Sequence, residues 1–318
     1  YVGADVLAAR FGLPVEKVRQ FITGRQFSLS NRGKPAAYLK ASDGSGLYFY
    51  GEAIDSLFTG ENVYLLTAGT GLAMGQANGG NPAPAAGPQV FGEQLRFEQD
   101  SLALTGMFYD PDSDYWMWDN LFAGYPGLWQ KEFPISAPDP AGSGQAQLKV
   151  RLRGGTNLPA NPYQHVVVEL NGQPLGEGRW DGPPDYELTL RFDAGRLANG
   201  ENILRLSCLK AAGLQYSTFY VDSFELSYPR LCRALDDVLA LRGGVNRVVT
   251  VGGFSTPEVW LFDVTNPLQP KVVNGVAVGE KSGQYQISFR PAGATNRYLA
   301  LPLQRALLPA SITADASA

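Results

Sequence analysis

From residue 145 onward the chain keeps a two-residue apolar–polar alternation, and that period belongs to strands rather than helices. In QLKVRLR (147–153), Leu148, Val150 and Leu152 fall on one face and Lys149, Arg151 and Arg153 on the other. HVVVEL (165–170), ELTLRF (187–192), ILRLSCL (203–209) and DSFELSY (222–228) repeat the pattern between turn-rich joints. Asn171-Gly172 sits between two such runs, and a type I′ hairpin turn needs residues that tolerate positive φ at both positions. The abundance of turn formers, 37 glycines and 22 prolines in 318 residues, agrees with many short strands.

The alternation predicts an all-β, multi-domain fold. Residues 4–23, ADVLAARFGLPVEKVRQFIT, are the exception, with Val15, Val18, Phe21 and Ile22 at helical spacing after Pro14. This gives one short N-terminal helical segment. GTGLAMGQANGGNPAPAAGPQV (69–90) reads as a long exposed loop. SAPDPAGSGQ (136–145) is the clearest boundary. The expected division is a β-rich domain at 1–140, a jelly-roll sandwich at 141–228 and a small immunoglobulin-like sandwich at 229–305. Residues 306–318 form a tail or linker. A formal charge of −4 without any basic run excludes a nucleic-acid partner of the usual phosphate-binding kind. No apolar run is long enough for a membrane span. No signal peptide opens the chain, and a start at Tyr1 is expected of a mature or trimmed product.

Several segments resemble one family. GLYFYGEAIDSLFTGENVYLL (46–66) and DYWMWDNL (114–121) resemble the stretch before the catalytic domain of gingipain-like bacterial cysteine peptidases. HVVVELNG, GEGRWDG, NGENILRL and FYVDSFELSYPR resemble the galactose-binding-like jelly roll that follows there. VVTVGGFSTPEVWLFDVTNPLQPKVV (248–273) resembles a final sandwich. The resemblance implies a secreted or cell-surface location and the non-catalytic N-terminal part of such a peptidase. Its cis partner would be the catalytic domain, and a glycan or cell-surface protein a further one. The family's His-Gly and Ala-Cys motifs are missing: His165 precedes Val166, Cys208 precedes Leu209, and Cys232 precedes Arg233. No catalytic residue can therefore be carried over. A free-standing carbohydrate-binding or adhesion protein is the alternative.

The single histidine, His165, shares a strand face with Val167 and Glu169 and has no local nucleophile or orienting group, so a structural role is expected, bonded to a neighbouring loop. Trp180 in GRWDG lies between strands. It either folds over the open end of the core or stacks on a sugar, with Arg179, Asp181 and Tyr186 completing a glycan group. Asp110, Asp112 and Asp114 have the alternating oxygen spacing of a calcium loop, but Tyr115 and Leu121 stand where an EF-hand needs Gly and Glu. An Asp-rich turn is the competing account, and calcium is the only cofactor suggested. Trp116, Trp118 and Phe122 read as core. GTGLAMG (69–75) lacks the Lys-Ser/Thr ending of a phosphate loop. Cys208 and Cys232 are too few for a disulfide scaffold, and whether they pair is open.

Overall fold

In the computed structural model, which describes residues 1–54, 59–107, 114–156 and 164–315, Leu148, Val150 and Leu152 are all buried. They lie on the strand Gln145–Gly154, whose neighbours are Asp185–Asp193 and Ser217–Leu231. Asp119–Ala123 and Val90–Glu98 pair successively along the far edge of the long 217–231 strand. The facing sheet runs in the order Gln130–Ala137, Gly200–Lys210, Gln164–Leu170, Gln173–Trp180. Every pairing in both sheets is antiparallel. Between them lies one core that includes Phe133, Val166, Val168, Leu204, Leu206, Phe219 and Phe224. This is a jelly-roll β-sandwich.

Asn171 and Gly172, at φ 51° and 75°, close the 164–170/173–180 hairpin. Two glycines of GEGRW are explained by the opposite sheet. A Cβ on Gly176 would lie 2.7 Å from the Leu190 side chain, and one on Gly178 2.7 Å from the Tyr186 hydroxyl. Bare backbone at these two positions leaves room for the Leu190 and Tyr186 side chains of the opposite sheet.

The chain divides into two compact units, Val90–Leu231 and Tyr1–Gln89 with Cys232–Ala318. The jelly roll thus begins at Val90, not at 141. The Pro- and Gly-rich 136–145 stretch is a turn inside it, with Asp139, Gly142 and Gly144 at positive φ and Pro140 bridged to Arg230.

In the other unit, helices Ala4–Phe11 and Val15–Thr23 pack on a sheet of short strands around Leu7, Val18, Ile22, Phe27, Tyr38 and Leu47. The single helix expected over 4–23 is two, because Gly12 takes a left-handed cap (φ 64°) and Pro14 starts the second. The same unit holds a second sandwich. One sheet contains Leu239–Arg242, Arg297–Leu301, Trp260–Asp263 and Lys271–Asn274. The other contains Val249–Phe254, Gln284–Phe289 and Ala277–Lys281. The expected 69–90 loop is also corrected: Leu72–Ala73 and Gly75–Asn78 are strands, the latter parallel to 271–274, and Met74 between them is buried. Such short strands owe their conformation to distant partners rather than to local pattern.

Candidate functional site

Trp180 ends the 173–180 strand rather than lying in a loop, and it is 7% exposed. It stacks on Tyr186 with centroids 4.5 Å and planes 4° apart, and meets Phe219 at 5.4 Å. Its indole Nε1 is buried without a hydrogen-bond partner. Arg179 and Asp181 are exposed, and Arg179 reaches Glu177 at 3.7 Å. The four residues of the expected glycan group therefore do not present one surface. Trp180 and Tyr186 cover each other, while Arg179 pairs along its own strand.

Beside that indole, two buried hydrogen bonds tie the sheets together. Gln164 donates to Thr156 Oγ1 at 2.8 Å, and Ser217 donates to Gln164 Oε1 at 2.9 Å. Cys208 lies on the core face of its strand, with its sulfur 3.5 Å from the Ser217 carbonyl, and burial pushes its thiol up to about 11. Such a thiol is not a nucleophile at neutral pH. Cys232 is also buried, and no disulfide joins the two cysteines. His165 points away from this core, with Nε2 2.9 Å from Glu177 Oε2 on the adjacent strand rather than bonded to a loop. That hydrogen bond is the leading cause holding the Glu177 carboxyl below its usual value.

Of the three aspartates expected to bind calcium, Asp110 and Asp112 lie outside the described residues. Asp114 instead joins Glu98 and Asp222, with one carboxylate oxygen from each lying within 4.8 Å of the others. Asp222 reaches this position through a bulge: Arg151 faces Ser223 and the next residue, Leu152, faces Val221, so Asp222 has no partner of its own. Burial, then the Glu98 charge, pushes the Asp222 carboxyl up to about 6, against the opposing pull of Arg96. Its Oδ1 is buried and unpartnered, while Oδ2 accepts from Ser223 Oγ at 3.2 Å. Asp100 is raised by burial and by the same two neighbours, Glu98 and Asp114. Two features oppose a cation: Arg96 Nε sits 2.6 Å from Glu98 Oε2, and Asp114 Oδ1 accepts from the Trp116 amide. The all-oxygen donor set suits a hard dication such as calcium, with further ligands required to reach six to eight. Glu98 and Asp222 were not singled out in the sequence. FEQD and YVDSF carry no local metal signature, and only strand pairing brings them together.

The aromatic block is split between faces. Met117, Leu121 and Ala123 are buried, and Trp118 packs half-buried on Phe133 and Phe224. Phe122, expected in the core, points the other way, and Trp116 leans on Tyr115.

Fold and site together define an all-β, multi-sheet sandwich protein. No family model and no curated protein sequence matches this chain. Among solved structures it is similar to dimeric latent PorU from Porphyromonas gingivalis, with a TM-score of 0.69 and 13% identity over 97% of this chain and 31% of that one. The chain thus spans just under a third of the length of that PorU chain. Two carbohydrate-binding modules also align. One is the CBM36-1 domain of a multidomain xylanase from the hindgut metagenome of Trinervitermes trinervoides, at TM-score 0.27 and 12% identity over 42% of this chain and 96% of its own. The other is CBM36 in complex with calcium and xylotriose, at TM-score 0.25 and 15% identity over 44% and 92%. Of the three, the PorU match alone bears on the fold here.

Proposed function

We propose that this chain is the non-catalytic accessory region of a secreted, gingipain-like cysteine peptidase, and that it positions or restrains a catalytic domain in the same polypeptide. The observation that carries this reading is the likeness to latent PorU along nearly the whole chain, although the chain spans less than a third of PorU. Two placements agree with it: His165 is tied to Glu177 on the outer face of its strand, and Cys208 is protonated and buried on the inner face. Among the described residues no helix is long and apolar enough to cross a membrane. The test is to extend the reading frame past Ala318 and assay peptide hydrolysis with and without residues 1–318. A region that restrains its enzyme raises turnover when removed, and one that positions it lowers turnover. A frame without a following peptidase domain rejects the proposal.

A carbohydrate-binding or adhesion role of the jelly roll is the second reading, favoured by exposed aromatic rings at one end of the sandwich. Calcium held by Glu98, Asp114 and Asp222 would support that domain as a structural ion, and the orphaned Asp222 Oδ1 is the observation in its favour.

A further inference from the structure

Trp180 is buried, yet other rings are exposed at the same end of the jelly roll. Strand register defines that end. Trp180 pairs with Gln164, Gln164 with Lys210, and Ala123 with Ser217, so the loops 124–129 (GYPGLW) and 211–216 (AAGLQY) leave the sandwich there. Phe122 stacks on Tyr216 with centroids 5.6 Å and planes 17° apart, and Tyr125 meets Phe122 edge-on at 5.2 Å. Tyr125 is 62% exposed, Tyr216 42% and Trp129 41%, with exposed Leu128 beside them. Tyr125 and Tyr216 meet on Phe122, and aromatic surface gathered in this way marks a place of interaction.

The rings stand on a fixed frame. Gly124 has φ 106°, and a Cβ there would lie 2.5 Å from the Gln215 carbonyl oxygen, so the two loops touch only because residue 124 lacks a side chain. Within the first loop the Phe122 amide donates to the Leu128 carbonyl at 2.8 Å and the Leu128 amide donates to the Tyr125 carbonyl at 3.3 Å. The Cys208 amide donates to the Trp129 carbonyl at 2.7 Å. A site ordered before binding loses little entropy on binding.

The chemistry of these loops restricts the occupant. Neither GYPGLW nor AAGLQY contains a charged residue. Within the loops, phosphate or an acidic polymer would find no cation and a basic peptide no carboxylate, the exposed Lys210 lying just before the second loop. What they offer is ring faces, two tyrosine hydroxyls and the Gln215 amide. A neutral sugar is complementary, because it carries an apolar C–H face, a rim of hydroxyls and no charge.

We propose that loops 124–129 and 211–216 form a binding platform for a neutral polysaccharide, with Tyr125, Trp129 and Tyr216 as its stacking rings. The proposal rests on the carbohydrate-binding reading of the jelly roll and gives that reading a site. The whole chain is run through native gels cast with xylan, mixed-linkage β-glucan, galactomannan or starch, with polygalacturonate as the anionic control. At least one neutral polymer should retard it and polygalacturonate should not. Tyr125→Ala, Trp129→Ala and Tyr216→Ala should each weaken the retardation roughly tenfold while melting like the parent, and Trp129→Phe should keep most of it. Retardation that survives all three alanine variants overturns the site but leaves the carbohydrate reading standing. If no neutral polymer retards the chain, both fall. Self-association in sedimentation that the same variants abolish would assign the rings to a protein contact and reject the proposal.

Discussion

Asp222 in the jelly roll is a half-buried carboxylate and Asp237 in the other unit a buried one, and their surroundings are opposite. Asp237 is saturated. Its Oδ1 accepts the Ser255 amide at 2.6 Å, and its Oδ2 accepts Ser255 Oγ at 2.8 Å and Arg305 Nη2 at 3.0 Å. The Ser255 amide is the leading cause that holds its carboxyl below the usual range. Asp222 faces Glu98 and Asp114 with one oxygen unbonded, and it is raised. One carboxylate fastens the chain to itself. The other sits among like charges with one oxygen unbonded, an arrangement that disfavours its charged form.

The largest effect expected from this contrast is at Asp237. Asp237→Ala leaves the Ser255 amide without its acceptor and releases the half-exposed Arg305 to water, and should lower stability by about 3 kcal/mol, measured by urea denaturation. Asp222→Ala should lower it far less. Equal losses at the two positions would break the comparison.

Calcium comes next. At a free concentration a hundredfold above its dissociation constant, a single bound ion adds about 2.7 kcal/mol. The gain should appear in the jelly-roll transition, vanish with chelator and be missing in Asp222→Asn. A calcium response that persists in Asp222→Asn would place the ion elsewhere.

The pH dependences should run in opposite directions. Asp222 titrates at about 6 folded against 3.8 as its reference, so between those values the folded state binds more protons than the unfolded one. Its contribution therefore stabilises below about pH 4 and is lost as pH rises through 6. Asp237 has a lowered folded value, so its contribution is present above 3.8 and is lost as pH falls through that lowered value. Calorimetry across pH 3 to 7 without calcium should show the jelly-roll transition losing ground over the range where the other does not. Asp222→Asn should remove that slope. Calcium should flatten it too, since the ion and the proton compete for the same oxygens.

The smallest effect is Asp222→Asn itself at pH 7 without calcium, which should raise the melting temperature slightly by removing an unfavourable charge. A fall would mean that Asp222 supports the fold through contacts other than its charge.

Much of the jelly roll is legible in the sequence because its information is local. Alternation in 147–153 and 165–170 fixes which side chains point inward, and Asn171-Gly172 fixes a turn. The final sandwich expected from 248–273 is present, with strands 249–254, 260–263 and 271–274 in its two sheets. What the sequence conceals is set by distance along the chain. Strand 75–78 is defined by 271–274, and the carboxylate cluster by the pairing of 90–98 with 217–231. The start of the jelly roll at Val90 is hidden because its first strand, VFGEQLRFE, lies far in sequence from the strands that follow the 136–145 turn. Aromatic residues divide. Trp180 is buried, as one of its two sequence readings had it, while Phe122 lies in an apolar block yet faces out.

The junction at Val90 and Leu231 has a consequence for how the protein is made. These residues pair with each other, and just outside them the Cys232 amide donates to the Gln89 carbonyl. The jelly roll is therefore spliced into its host through adjacent, antiparallel ends. On a ribosome the host cannot close first, because strand 75–78 waits for 271–274 to emerge. The inserted domain has all its strands available once Leu231 is out. It should fold while the first 89 residues are still incomplete, and by drawing its own ends together it brings the two halves of its host within reach of each other.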